Sequence, residues 1–303
     1  MNSKRRNVSS RKPPTSRNHA RQARPHLIAL GAVVLAALAM VLVAGMSCVR
    51  SCGRDGASVD DALRTQPYVS PYDWSQIAWE GASGDRAVLY RGGAIISDTG
   101  IDVSEFNGNI NWDTVAADGV SFAFVRVGNR GYTEGALSAD ARYEQNLDGA
   151  AAAGLQVGAY FFSQATTIEE AREEADFLVR LLNGRTLDLP VAFDHETIVG
   201  AGRANDVNGD TLVAIAEAFC ERVEKAGYHT LIYGNAHDMQ RMGYGLGGAA
   251  GGREVLQGRP TWFAEYGVAQ PTARFDFIIW QYSNTGTVAG IDTAVDMNLR
   301  LLQ

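Results

Sequence analysis

From Gly100 onward the chain alternates short apolar runs with longer stretches of helical period, and this beat limits its folds more than any other feature. The runs are GIDVS (100–104), FAFVRVG (122–128), VGAYFFS (157–163), LPVAFDHE (189–196), TLIYGN (230–235), PTWFAEY (260–266) and FIIWQYS (277–283). VDMNL (295–299) is a candidate eighth. Helical stretches are expected over 139–153, 168–183 and 210–226, each stopped by a glycine (Gly154, Gly184, Gly227), because the residue after a helix often takes positive φ. Continuously apolar strands with crossover helices mean a parallel sheet covered on its outer face. Roughly 200 residues of this pattern predict a single irregular (β/α) TIM-like barrel. A doubly wound open sheet would bring a glycine-rich phosphate loop after its first strand, and GIDVSEFNG is not one.

The N-terminal part is of another kind. Residues 1–54 hold ten Lys or Arg and no acid, leaving 17 of the 27 basic residues in the body against all 34 acids. So acidic a body argues against nucleic acid as a partner. Residues 27–49 (LIALGAVVLAALAMVLVAGMSCV) are 23 residues without a charge, preceded by eight Lys or Arg. A bilayer core of about 30 Å needs about 20 such residues, and the positive-inside bias puts the basic tail in the cytoplasm. The chain thus reads as a disordered basic tail (1–26), a transmembrane helix (27–49), an extracellular neck and extension (50–97), and a barrel domain (98–303). A cleaved signal peptide, whose apolar region runs about 7–15 residues, and a lipid anchor at Cys48 are the rival readings. The three cysteines, Cys48, Cys52 and Cys220, make no disulfide framework.

In a barrel the active site forms at the C-terminal strand ends. Those ends carry Asp102, Arg126, Tyr160, Asp194 with Glu196, Tyr233, Trp262 with Tyr266, and Gln281; Asp296 lies in the candidate eighth strand. VAFDHE (191–196) is the informative stretch, since a buried strand ends in two acids. Residues i and i+2 face one side of a strand, so Asp194 and Glu196 point together and His195 points toward the helix layer. Like charges close together in a partly buried mouth raise one carboxyl pKa. A proton donor beside a charged partner is what glycosidic cleavage requires. Each residue alone has a plainer reading, as helix cap, ion pair or core aromatic. Four acids and several aromatics at successive strand ends describe a carbohydrate cleft better than a core.

GIDVSEFNGNINW, FAFVRVG, GAYFFSQA, the D-x-E, TWFAEY, WQYS and VDMN stand in one order over residues 98–303. Together they resemble the glycoside hydrolase family 25 lysozymes, the Chalaropsis-type muramidases. The resemblance implies an irregular (β/α) barrel that cleaves the β-1,4 bond between N-acetylmuramic acid and N-acetylglucosamine, with peptidoglycan as partner and no cofactor. It implies Glu196 as general acid, Asp194 as its charged partner, and Asp102 and Asp296 as further acids of the cleft. It also implies that Arg126, Tyr160, Tyr233, Trp262, Tyr266 and Gln281 line sugar subsites. His195 replaces a residue that is usually apolar or aromatic, and Arg126 stands where Lys or Ala is common. A metal-dependent hydrolase using the same acids is disfavoured, since such sites usually want histidines and His195, His229 and His237 show no ligand spacing. A barrel that grips glycan without cutting it would typically lose an acid, and all four are present.

Overall fold

The computed structural model describes residues 68–81, 84–244, 256 and 258–302. The tail, the apolar segment 27–49 and the first part of the neck lie outside the described residues. Eight strands close into a barrel: β4 (Ser97–Val103), β5 (Phe122–Arg130), β7 (Gln156–Phe162), β8 (Val191–Asp194), β9 (Thr230–Asn235), β10 (Thr261–Ala264), β11 (Ile279–Gly286) and β12 (Val295–Leu301). β4 through β11 pair in parallel. The candidate eighth strand forms, but β12 runs antiparallel to both β11 and β4. The eight-residue link after Gly286 is too short for a crossover helix, so the chain turns back as a hairpin. Its first residues, not its last, therefore stand at the mouth, and Asp296 faces Asp102 across the β12–β4 ladder.

The barrel interior is filled by Phe122, Phe124, Ala192, Leu231, Tyr233, Trp262, Ala264 and Ile279. Room for the two phenylalanines comes from absent side chains. A Cβ on Gly100 would lie 2.2 Å from the Phe122 ring, and one on Gly158 would lie 2.5 Å from Phe124. A second, larger core lies between the barrel and its cover. There Phe193 meets Phe219 at 5.2 Å between ring centroids.

The described helices are α1 (Trp112–Ala117), α2 (Tyr143–Ala152), α3 (Ile168–Leu182), α4 (Gly209–Lys225) and α5 (Ala236–Arg241). α3 and α4 follow the glycine-stopped stretches of the sequence closely. The first stretch, expected from residue 139, begins as the short strand β6 (Leu137–Ala139) paired antiparallel to β5, and its helix starts only at Tyr143. β5 itself runs to Arg130, past the mouth, and offers an edge for that pairing.

Among the described residues no helix lies between β10 and β11 or between β11 and β12. The extension covers that side instead. It is a meander of β1 (Ile77–Glu80), β2 (Arg86–Arg91) and β3 (Ala94–Ile95). The run Ala87–Ile96 looks like one strand in the sequence; Gly92 and Gly93, at φ +58° and +84°, turn it into a hairpin, as a two-residue primed turn requires. Trp74 stacks on Phe277 at 5.6 Å and meets Trp280 edge-on at 6.1 Å. Trp79 packs edge-on against Trp280 and Tyr282. The extension is thus part of the barrel's outer layer rather than a spacer.

Trp74 is 8% exposed, so Trp74→Ala should cost about 3–5 kcal/mol. A fall in the urea midpoint at constant slope would show it. A midpoint within error of wild type would mean that the extension is not integral to the fold.

Candidate active site

The mouth of the barrel holds a cavity of about 340 Å³. All ten residues singled out in the sequence line it: Asp102, Arg126, Tyr160, Asp194, Glu196, Tyr233, Trp262, Tyr266, Gln281 and Asp296. Ser104, Phe106, Phe162 and Asn284 also line it and were not anticipated. In the barrel order β8 and β12 stand four places apart, so Asp194 and Glu196 look across the mouth at Asp296 and its neighbour Asp102. His195 points outward, as the two-residue period demands. It is fully buried, its Nε2 is 3.0 Å from the Ala165 carbonyl oxygen, and its ring stacks on Phe193.

The acids are held by an ordered set of donors. Asp102 Oδ2 accepts from Gln281 Nε2 at 2.7 Å and from Asn298 Nδ2 at 2.8 Å. Asn298 Oδ1 accepts from Trp262 Nε1 at 2.8 Å. Gln281 Oε1 accepts from Tyr233 at 2.8 Å and from the Tyr266 hydroxyl. Three of the aromatics expected to line subsites therefore spend their polar atoms on the floor. Trp262, 2% exposed, plugs the barrel, with Phe124 at 4.6 Å and Tyr233 at 4.9 Å. Asn298 is the support that sequence reasoning missed. Its signal was VDMN, where the inward period puts Asn298 beside Asp296.

Charge in this cavity is unbalanced. Among the described residues, Arg126 is the one basic side chain lining it. Its guanidinium is already engaged, by Asp140 at 2.9 Å and Glu105 at 3.1 Å. Burial therefore dominates the four acids, and it favours their neutral forms. Burial pushes Asp102 up to about 6 against the two amide donors. Burial, then the facing Asp102, carries Asp296 to about 9. Asp194 rises well above its usual range through burial and the charge of Glu196. Glu196 rises to about 7 through burial, with Asp238 of α5 contributing. Each facing pair can hold a proton near neutral pH, so the mouth offers both a proton donor and a carboxylate acceptor. The half-buried Glu196, two residues beyond the strand end, is the member of its pair with access to solvent protons. Among the described residues no group of three or more His, Cys, Asp or Glu is arranged to hold a metal ion.

Glu196 lies above its usual 4.5 in the folded chain, so folding takes up protons between pH 4.5 and about 7. Stability from this group is full below the lower value and is lost as pH rises through the upper. Glu196→Gln should then leave stability nearly unchanged at pH 4 and raise it by ~1–3 kcal/mol at pH 7. Denaturant titrations at both pH values would test this, and a gain of equal size at both would contradict it.

The Glycosyl hydrolases family 25 profile matches residues 101–291. The chain is 30% identical over 206 residues to lysozyme M1 of Streptomyces globisporus, a match spanning 66% of each protein. It is 25% identical over 199 residues to the autolytic lysozyme of Clostridium acetobutylicum, covering 66% of this chain and 54% of that one. The chain thus spans only about half to two thirds of the length of these relatives. Its fold superposes on the bacterial lysozyme of Streptomyces coelicolor with a TM-score of 0.52 at 26% identity, over 66% of this chain and 90% of that one.

Proposed function

Because this chain belongs to glycosyl hydrolases family 25, we propose that it is a peptidoglycan-hydrolysing N-acetylmuramidase with Glu196 as its general acid. The observation that carries this reading is the pair of facing carboxyl pairs in one mouth, one of them the D-x-E of β8. Glu196 gives its proton to the glycosidic oxygen as the bond from C1 of N-acetylmuramic acid breaks. The acetamido carbonyl oxygen of the same sugar closes on C1. With the pair's one proton on Glu196, Asp194 is the carboxylate that accepts the acetamido N–H and steadies the positive charge that develops. Water then opens the ring, giving a proton back to Glu196 and its hydroxyl to C1. Asp102, fixed by Gln281 and Asn298, and Asp296 opposite bound the space for that sugar and orient its hydroxyls.

The test is digestion of purified peptidoglycan with mass spectrometry of the new ends. Wild type should release fragments with reducing N-acetylmuramic acid, and Glu196→Gln, which keeps shape but removes the donor proton, should release none. New ends of reducing N-acetylglucosamine would sink the proposed specificity. Since the acid must be protonated to act, kcat should fall as pH rises through about 7. A rate that climbs steadily above that pH would exclude Glu196 as the acid.

Residues 27–49, uncharged and flanked by a basic tail, support a single-pass anchor with the tail in the cytoplasm and the barrel outside. No helix among the described residues is long and apolar enough to cross a membrane, and this segment is not among them. An anchor holds the enzyme against the wall and raises the local concentration of its substrate. Full-length protein should fractionate with membranes and resist extraction by salt. Its recovery in the medium would overturn the anchor.

A further inference from the structure

Phe106 is the most exposed of the aromatic residues that line the cavity. It is 75% exposed, whereas Trp262 and Tyr233 are buried and Tyr266 is 41% exposed with its hydroxyl tied to Gln281. It has no polar atom to tie. An exposed phenylalanine contributes little to folding, yet the chain holds this one firmly. Its turn (Glu105–Asn107) is closed by a capping box with Ser104. Asn107 Nδ2 donates to Thr293 Oγ1 at 3.3 Å and to the Ala294 carbonyl at 3.2 Å, fastening the turn to the loop before β12. The amide of Glu105 donates to Asp140 Oδ2 at 2.9 Å. The Arg126 guanidinium, fixed by Asp140 and Glu105, lies 4.8 Å from the ring centroid. Phe106 and Arg126 both line the cavity.

A rigid, exposed aromatic face at the rim of a polar cleft suits the apolar C–H face of a pyranose ring. Large, pre-ordered aromatic side chains gain contact area at small entropic cost. A cation resting on one face of the ring adds to its fixation. β4 and β8 stand three places apart in the barrel order. Phe106 lies four residues beyond Asp102 of β4 and is exposed where Asp102 is buried, so a sugar resting on its ring lies outward of the one that Asp102 bounds.

Resting on the muramidase reading above, we propose that Phe106, held on Arg126, is a platform for a glycan sugar remote from the scissile bond, and that it makes the enzyme favour long glycan strands over short oligosaccharides. Arg126 then acts as a positioning residue. Its charge is met by Asp140 and Glu105 and supports the ring rather than the substrate.

The experiment compares the full-length wild type with Phe106→Ala, Phe106→Trp and Arg126→Lys on uncrosslinked glycan strands and on the shortest oligosaccharide that wild type cleaves. Phe106→Ala should lose roughly tenfold in kcat/KM on strands, mostly through KM, and less than about twofold on the short substrate. Phe106→Trp should retain the preference for strands. Arg126→Lys, which keeps a charge but lacks the planar fork, should shift the same way as Phe106→Ala. A loss of equal size on both substrates, or none on either, would overturn the inference while leaving the muramidase reading in place. A wild type inactive on every substrate would overturn that reading itself. Thermal midpoints close to wild type for Phe106→Ala are expected, and a large fall would assign the residue to the fold instead.

Discussion

Crowding four carboxyl groups, two buried and two half-buried, into one barrel mouth is the constraint around which the rest of the site is built. Burial alone would keep every one of them neutral, and the proposed cleavage needs at least one charge. The structure separates the pairs by partners. Asp102 meets two amide donors, from Gln281 and Asn298. It is raised less than Asp296, which holds the proton of that pair across the ladder. Asp194 and Glu196 have no such donors in common and compete for a proton. One pair is fixed by hydrogen bonds; the other is left free to exchange a proton.

That arrangement depends on how the barrel closes. With β12 parallel to its neighbours, Asp296 would sit at the opposite end of the barrel from Asp102. Turning the last strand back puts its first residues at the mouth. Among the described residues, the hairpin leaves no crossover helix between β11 and β12, and the parallel β10–β11 link has none either, so Trp280 and Tyr282 lack that cover. The extension restores that cover with Trp74 and Trp79. It is tied in further by Leu89, whose amide donates to Ser97 Oγ at 2.8 Å, and by Arg86, which donates to the Asp118 carbonyl at 2.7 Å. The family match begins at residue 101, after this extension, so the segment that completes the outer layer lies outside the part shared with the family.

Most of the architecture was legible because burial writes a period into the chain. Strands buried on both faces are unbroken apolar runs, and the inward period of VAFDHE assigns Asp194, His195 and Glu196 to their sides without further information. The direction of β12 was not legible. Period two is the same read forward or backward, and only the short link from Gly286 hints at a hairpin. The division of labour among the aromatics was hidden for another reason. A tyrosine at a strand end looks alike whether its hydroxyl awaits a sugar or completes the hydrogen bonds of Gln281. The inward period of VDMN places Asn298 beside Asp296, but its role as a donor lies in Asp102, almost two hundred residues away.

Once this polar bookkeeping is followed, Trp262, Tyr233 and Tyr266 separate from Phe106 by what they carry. Those with an N–H or O–H are drawn inward, because buried polar atoms require partners, and the acids beneath them require donors. Trp262, Tyr233 and Tyr266 therefore become structure first and surface second. A side chain with no polar atom gains nothing from the floor, and it can stand at the rim if its backbone is fastened from below. Phe106 meets that condition through Ser104, Asn107 and the ion pairs of Arg126. Exposing its ring would be an unexplained loss for the fold alone. It becomes sensible when an apolar face of a ligand completes the contact.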